Sequence, residues 1–156
     1  MNPIHLAAGL FAVAAVLAGP AAAQHAGHAH TFATAKDLKW TDTPSLPGAK
    51  LAVIEGPLNE AKPFTMRLRF PANYKIAPHH HSAIEHVTVI RGEFNMGVGE
   101  KFEQGKGTAL KPGDVAIMQP GTPHYAWTTQ ETEIQVHGVG PWTLTYVNPQ
   151  DDPRKK

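Results

Sequence analysis

Pro78-His79-His80-His81-Ser82-Ala83-Ile84-Glu85-His86-Val87-Thr88-Val89-Ile90-Arg91-Gly92 is the stretch on which the reading of this chain turns. On an extended backbone, side chains two apart point to the same face, so His79, His81 and Glu85 share one. A helix aligns His81 with Glu85 but turns His79 away from His81. Composition sides with the strand: Pro78 disfavours the helical region for Ala77, and Val87, Thr88, Val89 and Ile90 are a β-branched run. Imidazole and carboxylate groups ligate divalent first-row metals at about 2.0–2.2 Å, and three on one face call for a further ligand. His124, set up by the turn in Pro120-Gly121-Thr122-Pro123-His124, is the candidate. By the same parity His80 and His86 point away from the ligands, as structural or surface residues.

The two blocks resemble the paired motifs of the cupin superfamily. In the first motif, Gly-x5-His-x-His-x3,4-Glu-x6-Gly, the ligand and closing glycine positions are occupied by His79, His81, Glu85 and Gly92. Asn73 stands at the leading glycine and tolerates similar turn conformations. In the second, Gly-x5-Pro-x-Gly-x2-His-x3-Asn, Gly113, Gly121 and His124 fall into place, while Gln119 and Thr128 replace the proline and asparagine. The resemblance spans roughly residues 50–147. It implies an all-β, cupin-type jelly-roll β-barrel with a mononuclear site of His79, His81, Glu85 and His124. The ion expected is one divalent metal, manganese or iron first, with nickel, copper or zinc allowed. A solvated histidine patch beside an ordinary turn is the plain alternative. Four residues of the right type at the right spacing weigh against it. A His-x-His zinc hydrase site takes a histidine, rather than Glu85, as its third ligand.

Leu6 to Gly19 is a short apolar run followed by Ala21-Ala22-Ala23, which reads as a secretory signal peptide over residues 1–23. The run is too short for a spanning helix, although no Lys or Arg precedes it and a retained anchor is the competing reading. The mature chain then starts near Gln24, and the bacterial periplasm is the expected address. Residues 24–49 are expected to be a flexible segment; His25, His28 and His30 in it are either linker or a loose trap for stray metal. About 133 residues remain after cleavage, enough for a single core. The absence of cysteine excludes disulfides, and a net charge of +1 gives no reason to expect nucleic acid or, after cleavage, a membrane as partner.

Phe64, Met66, Leu68 and Phe70 alternate with polar neighbours, and short strands punctuated by Gly and Pro continue to Val147. The barrel is therefore placed at 50–147, with a polar, frayed tail at 148–156. Glu93–Val98 is expected to pair back against the strand at 84–91. A two-residue turn at Thr129-Gln130 sets Gln135 opposite His124, so that Gln135 and His137 face the metal cavity as candidate catalytic groups. Tyr125, Trp127, Ile134 and Val136 then form an outer apolar face, covered either by a second copy in a homodimer or by the N-terminal segment. Arg67 and Arg69 are expected to be solvated.

Two functions are carried forward. One is a metal-dependent enzyme acting on a small oxygenated molecule, of dioxygenase, decarboxylase or isomerase type. The other is a non-catalytic exported cupin that binds metal or a small ligand.

Overall fold

The alternation in Phe64, Met66, Leu68 and Phe70 is realised as a strand whose four apolar side chains are buried while Thr65, Arg67 and Arg69 face outward. The computed structural model describes residues 30–156, so the expected signal peptide and all but His30 of the tail histidines lie outside the described residues. Residues 33–156 form one unit. Its strands are β1 (Thr41–Asp42), β2 (Lys50–Glu55), β3 (Pro63–Phe70), β4 (Lys75–His81), β5 (Glu85–Arg91), β6 (Phe94–Val98), β7 (Thr108–Leu110), β8 (Val115–Met118), β9 (His124–Thr128), β10 (Thr132–Val139) and β11 (Leu144–Tyr146).

They form two antiparallel sheets, ordered β1-β2-β3-β10-β5-β8 and β11-β4-β9-β6-β7. This is the jelly roll expected from the sequence. Between the sheets lies one core, with Phe64, Phe70, Val87, Phe94 and Val136 among its most buried members. Asn73 takes φ 59, the left-handed turn expected of a glycine substitute. Gly92 closes the first motif at φ +83, where an added Cβ would lie 2.4 Å from the Glu131 carbonyl oxygen. Among the described residues no helix is long and apolar enough to cross a membrane.

Several pairings differ from expectation because the chain keeps crossing between sheets. Glu93–Val98 does not pair with the strand after Glu85; β6 lies between β7 and β9 in the other sheet. The His124–His137 hairpin is also absent. After Thr128 the chain leaves one sheet and enters the other, and β10 pairs with β3 and β5. Gln135 therefore stands opposite Arg67 and Thr88, not His124. The inward face of β10 is Ile134 and Val136, both in the core.

Tyr125 and Trp127 do lie on the outer face of β9, but the same chain covers them. Phe102 packs against both rings, and Tyr125 donates a hydrogen bond to the Glu103 carbonyl at 2.8 Å. Gly97 and Gly107 leave room for the rings; a Cβ at either would come within 2.2 Å of the aromatic carbons. Among the described residues, the stretch around Phe102 and Glu103 supplies this cover.

Packing and regular turns extend beyond residues 50–147 at both ends. Leu46 and Ala49 belong to the core cluster, so packing begins before Lys50. The C-terminal tail forms two short 3-10 turns, and Arg154 donates to the Leu144 carbonyl at 3.0 Å. Arg67 and Arg69 are not free in solvent. Both hold the buried Glu133, at 3.0 and 2.9 Å, and Arg69 lies 4.2 Å above the Trp40 ring.

Candidate metal centre

His79 and His81 alternate along β4 and point into the space between the sheets, as parity requires. Glu85 does not continue that strand. The chain bends at 82–84 and changes sheet, so Glu85 opens β5 and reaches the histidines from the opposite wall. The spacing in sequence suits this bend as well as it suits a straight strand. His124 stands directly across the ladder from His79, with ring centroids 4.3 Å apart. One ligand atom from each of His79, His81 and His124 lies within 4.8 Å of the others. Glu85 adds a carboxylate oxygen 3.4 Å from His81 Nε2 and the other 3.4 Å from His124 Nε2. All four residues are buried.

Each imidazole is fixed from behind. Nδ1 of His79, His81 and His124 bonds to the carbonyl oxygens of Ala77, Thr143 and Thr122, at 2.8, 2.8 and 2.9 Å. A carbonyl only accepts, so Nδ1 carries a proton, and in the neutral ring Nε2 is the nitrogen left with a lone pair. Nε2 of His81 and of His124 is buried without a hydrogen-bond partner. Burial, then the neighbouring His124 and His81, holds His79 well below the ordinary histidine range. His81 is lowered mainly by burial, although Glu85 opposes the shift. With the rings neutral, their lone pairs face a carboxylate at close range, an arrangement of acceptors with no donor. A divalent cation resolves it, and the backbone anchoring is the support that metal-ligating histidines ordinarily have. The residues present fit such an ion.

The cavity around the four groups is small, about 30 Å³, and its remaining wall is apolar, including Phe70, Val87, Phe94 and Ile134. That is room for about two water molecules. Among the described residues on its wall, the four candidate ligands are the only titratable groups.

Gln135 and His137 are not brought to this site. Gln135 accepts from Arg67 Nε at 3.4 Å on the outer face of the sheet, and His137 stacks on His86 there, with centroids 4.9 Å apart and planes 9° from parallel. A residue that sequence reasoning missed is Trp142, whose indole stacks on His81 at 4.3 Å and 15°. Its signal was weak: one aromatic after the Gly140-Pro141 break, 61 positions beyond the histidine that it touches.

Comparison with known proteins agrees with this fold. The family model of the ChrR cupin-like domain matches residues 28–143. The chain belongs to that cupin family. Among solved structures, the fold is similar to the polyketide cyclase RemF from Streptomyces resistomycificus, with TM-score 0.66 and 17% identity over 81% of this chain and 92% of that one. It is similar to a salicylate 1,2-dioxygenase from Pseudoaminobacter salicylatoxidans, solved in complex with gentisate, at TM-score 0.53 and 12% identity, covering 65% of this chain and 30% of the dioxygenase. A third similarity is to the Rhodobacter sphaeroides complex of SigE with the anti-sigma ChrR, at TM-score 0.51 and 16% identity over 67% of this cupin and 50% of that chain. At these identities the likeness is one of fold. A search of curated proteins gives no match.

Proposed function

We propose that this cupin is a metal-dependent enzyme acting on a small oxygenated molecule, with one divalent ion held by His79, His81, Glu85 and His124. The observation that carries the proposal is the set of backbone-anchored imidazoles converging on a buried carboxylate with no donor between them. An ion there supplies Lewis-acid or redox chemistry to a small oxygenated group. The chain's own part is orientation and exclusion of water. Carbonyl anchors set the imidazole planes, and the apolar wall keeps the local dielectric low, which strengthens every charge interaction inside. Manganese or iron suits three imidazoles and a carboxylate best, with nickel, copper and zinc compatible. Dioxygenase, decarboxylase and isomerase chemistry all lie within reach of such a site. Enzymes among the similar folds, a polyketide cyclase and a salicylate dioxygenase, support an enzymatic reading by analogy.

A second reading, a non-catalytic cupin that binds metal or a small ligand, is favoured by the lack of any further titratable group among the described cavity residues. The family's ChrR description and the similarity to an anti-sigma in complex with its sigma factor point the same way. We further propose that residues 1–23 direct export; N-terminal sequencing of the mature protein is expected to begin near Gln24, and an uncleaved Met1 would refute it.

The deciding experiment is elemental analysis of tag-free protein, with a panel of carboxylates, diketones and phenols assayed on the same sample. One equivalent of metal with turnover, both lost in a folded His124→Ala variant, supports the enzyme. Metal with thermal stabilisation and no turnover supports the binder. Unchanged metal content in both His79→Ala and Glu85→Ala overturns both.

A further inference from the structure

A second cavity of about 110 Å³ adjoins the metal cavity, and the two share Leu46, Leu68, Trp142 and Leu144 as wall. Its other lining includes Leu51, Leu58 and Met66, with the buried Thr43 and the half-buried Ser45 as its polar residues. The Thr43 and Ser45 hydroxyls lie 3.0 Å apart and bond to one another. The one orphaned donor on the common wall is Trp142 Nε1, buried with no hydrogen-bond partner. An indole N–H lies in the ring plane, and that plane is nearly parallel to the His81 imidazole, so the stacked ring does not accept from it.

Trp142 is held where it stands from both sides. Gly140 and Trp142 donate backbone hydrogen bonds to the carbonyls of Lys62 and Leu58, at 2.9 and 2.7 Å. On the other flank, Ser82 Oγ donates to the Pro141 carbonyl at 2.9 Å and accepts from Thr143 N at 3.0 Å. Thr143 in turn supplies the carbonyl that fixes His81. A buried, rigidly held donor without a partner costs stability unless something in the cavity accepts from it.

From this we infer that the second cavity is the subsite for an apolar arm of the ligand, and that Trp142 Nε1–H donates to a ligand oxygen beside the metal cluster. The inference rests on the metal reading above. Space makes the division of labour. The 30 Å³ beside the histidines accommodates little more than an oxygen-bearing head, and the adjoining 110 Å³ is lined mainly by leucine and methionine. The ligand class is a small oxyacid or ketone with a short unbranched apolar chain. Trp142 acts in binding and positioning.

The test is calorimetric titration of the metal-loaded protein with straight-chain 2-oxo acids of three to seven carbons. Affinity is expected to rise roughly fourfold for each methylene buried. Trp142→Phe keeps the stacked ring and removes the N–H; affinity across the series should fall about five- to tenfold, with metal content unchanged. Leu58→Phe narrows the second cavity and should flatten the dependence on chain length. Affinity independent of chain length, or unaltered by Trp142→Phe, overturns the inference. If no metal binds, the metal reading fails by itself. Straight-chain methyl ketones on the metal-free protein then read the subsite separately: chain-length dependence weakened by Trp142→Phe sustains it, and its absence overturns it.

Discussion

Glu85 and Glu133 are buried to the same degree, 6% exposed each, in adjacent strands of one sheet, yet their surroundings are opposite in sign. Glu133 faces outward and accepts from the Arg67 and Arg69 guanidiniums. Its charge is answered within the protein. Glu85 faces inward, with Nε2 of His81 and Nε2 of His124 each 3.4 Å from one of its oxygens, while Nδ1 of both rings bonds to a backbone carbonyl on the far side. Among the described residues no arginine or lysine is paired with it. Burying a carboxylate is costly unless it is paired, so one is a completed structural pair and the other is a half-built binding site. Burial alone does not separate them; the side chains that each carboxylate meets, two guanidiniums for one and two imidazoles for the other, do.

The largest expected effect follows directly. Glu85→Gln preserves shape, removes the negative charge and offers an amide donor to the Nε2 lone pairs. Divalent-metal affinity should fall by at least about 100-fold, beyond the upper end of what loss of an outer supporting hydrogen bond does. The metal-free variant should be at least as stable as the metal-free parent, because an acceptor conflict has become a hydrogen bond. Isothermal titration and thermal melts of both forms check this. A Glu85→Gln variant that binds metal normally would erase the distinction between the two glutamates.

Next in size is a pH effect on the metal-free protein. His79 and His81 are held below the ordinary histidine value, so the unfolded chain binds protons that the folded chain refuses. Stability is therefore unaffected well above about pH 6.5 and is lost as pH falls below it, by up to about 1.4 kcal/mol per pH unit for each histidine. Urea melts between pH 5 and 8 measure the slope. Bound metal should shift the loss to lower pH, since the ion competes with the same protons.

Glu133→Gln completes the contrast from the other side. It removes the charge from two ion pairs whose arginines are 19% and 38% exposed in their side chains, so solvent offsets part of the loss. A destabilisation of about 1–2 kcal/mol is expected, with metal affinity unchanged. Loss of metal in this variant would mean that the two faces of the sheet are not independent.

How much of this was legible in the sequence depended on whether the information was local. The period of two in β3 and the residue types at His79, His81, Glu85 and His124 are local, and the strand bounds and the clustering follow them closely. Asn73 at a glycine position kept the required backbone twist. Strand partnership is not local. A straight-strand reading of residues 79–85 and a hairpin reading of 124–137 both suit the sequence, and a jelly roll that alternates between sheets satisfies neither. One wrong neighbour reverses the face of a whole strand, which is why Gln135 and His137 were expected inside and stand outside. The cover over Tyr125 and Trp127 was illegible for a related reason: Phe102 sits in a stretch without periodicity, from which its destination cannot be read.

The outer histidine pair supplies the smallest and most discriminating test. His86 and His137 resemble the inner cluster in composition and in their close ring contact, but Nδ1 of both is buried without a partner, where the inner Nδ1 atoms are anchored. Without that anchor no nitrogen is aimed, and stacking rings 9° from parallel is what two apolar discs would do. His137→Phe keeps the disc and removes the orphaned nitrogen. Stability should change by no more than about 0.5 kcal/mol, and metal stoichiometry should not change at all. A chemical melt paired with elemental analysis decides it. If His137→Phe released metal, the aiming of Nε2 by a backbone carbonyl would no longer distinguish a ligand from a bystander in this barrel.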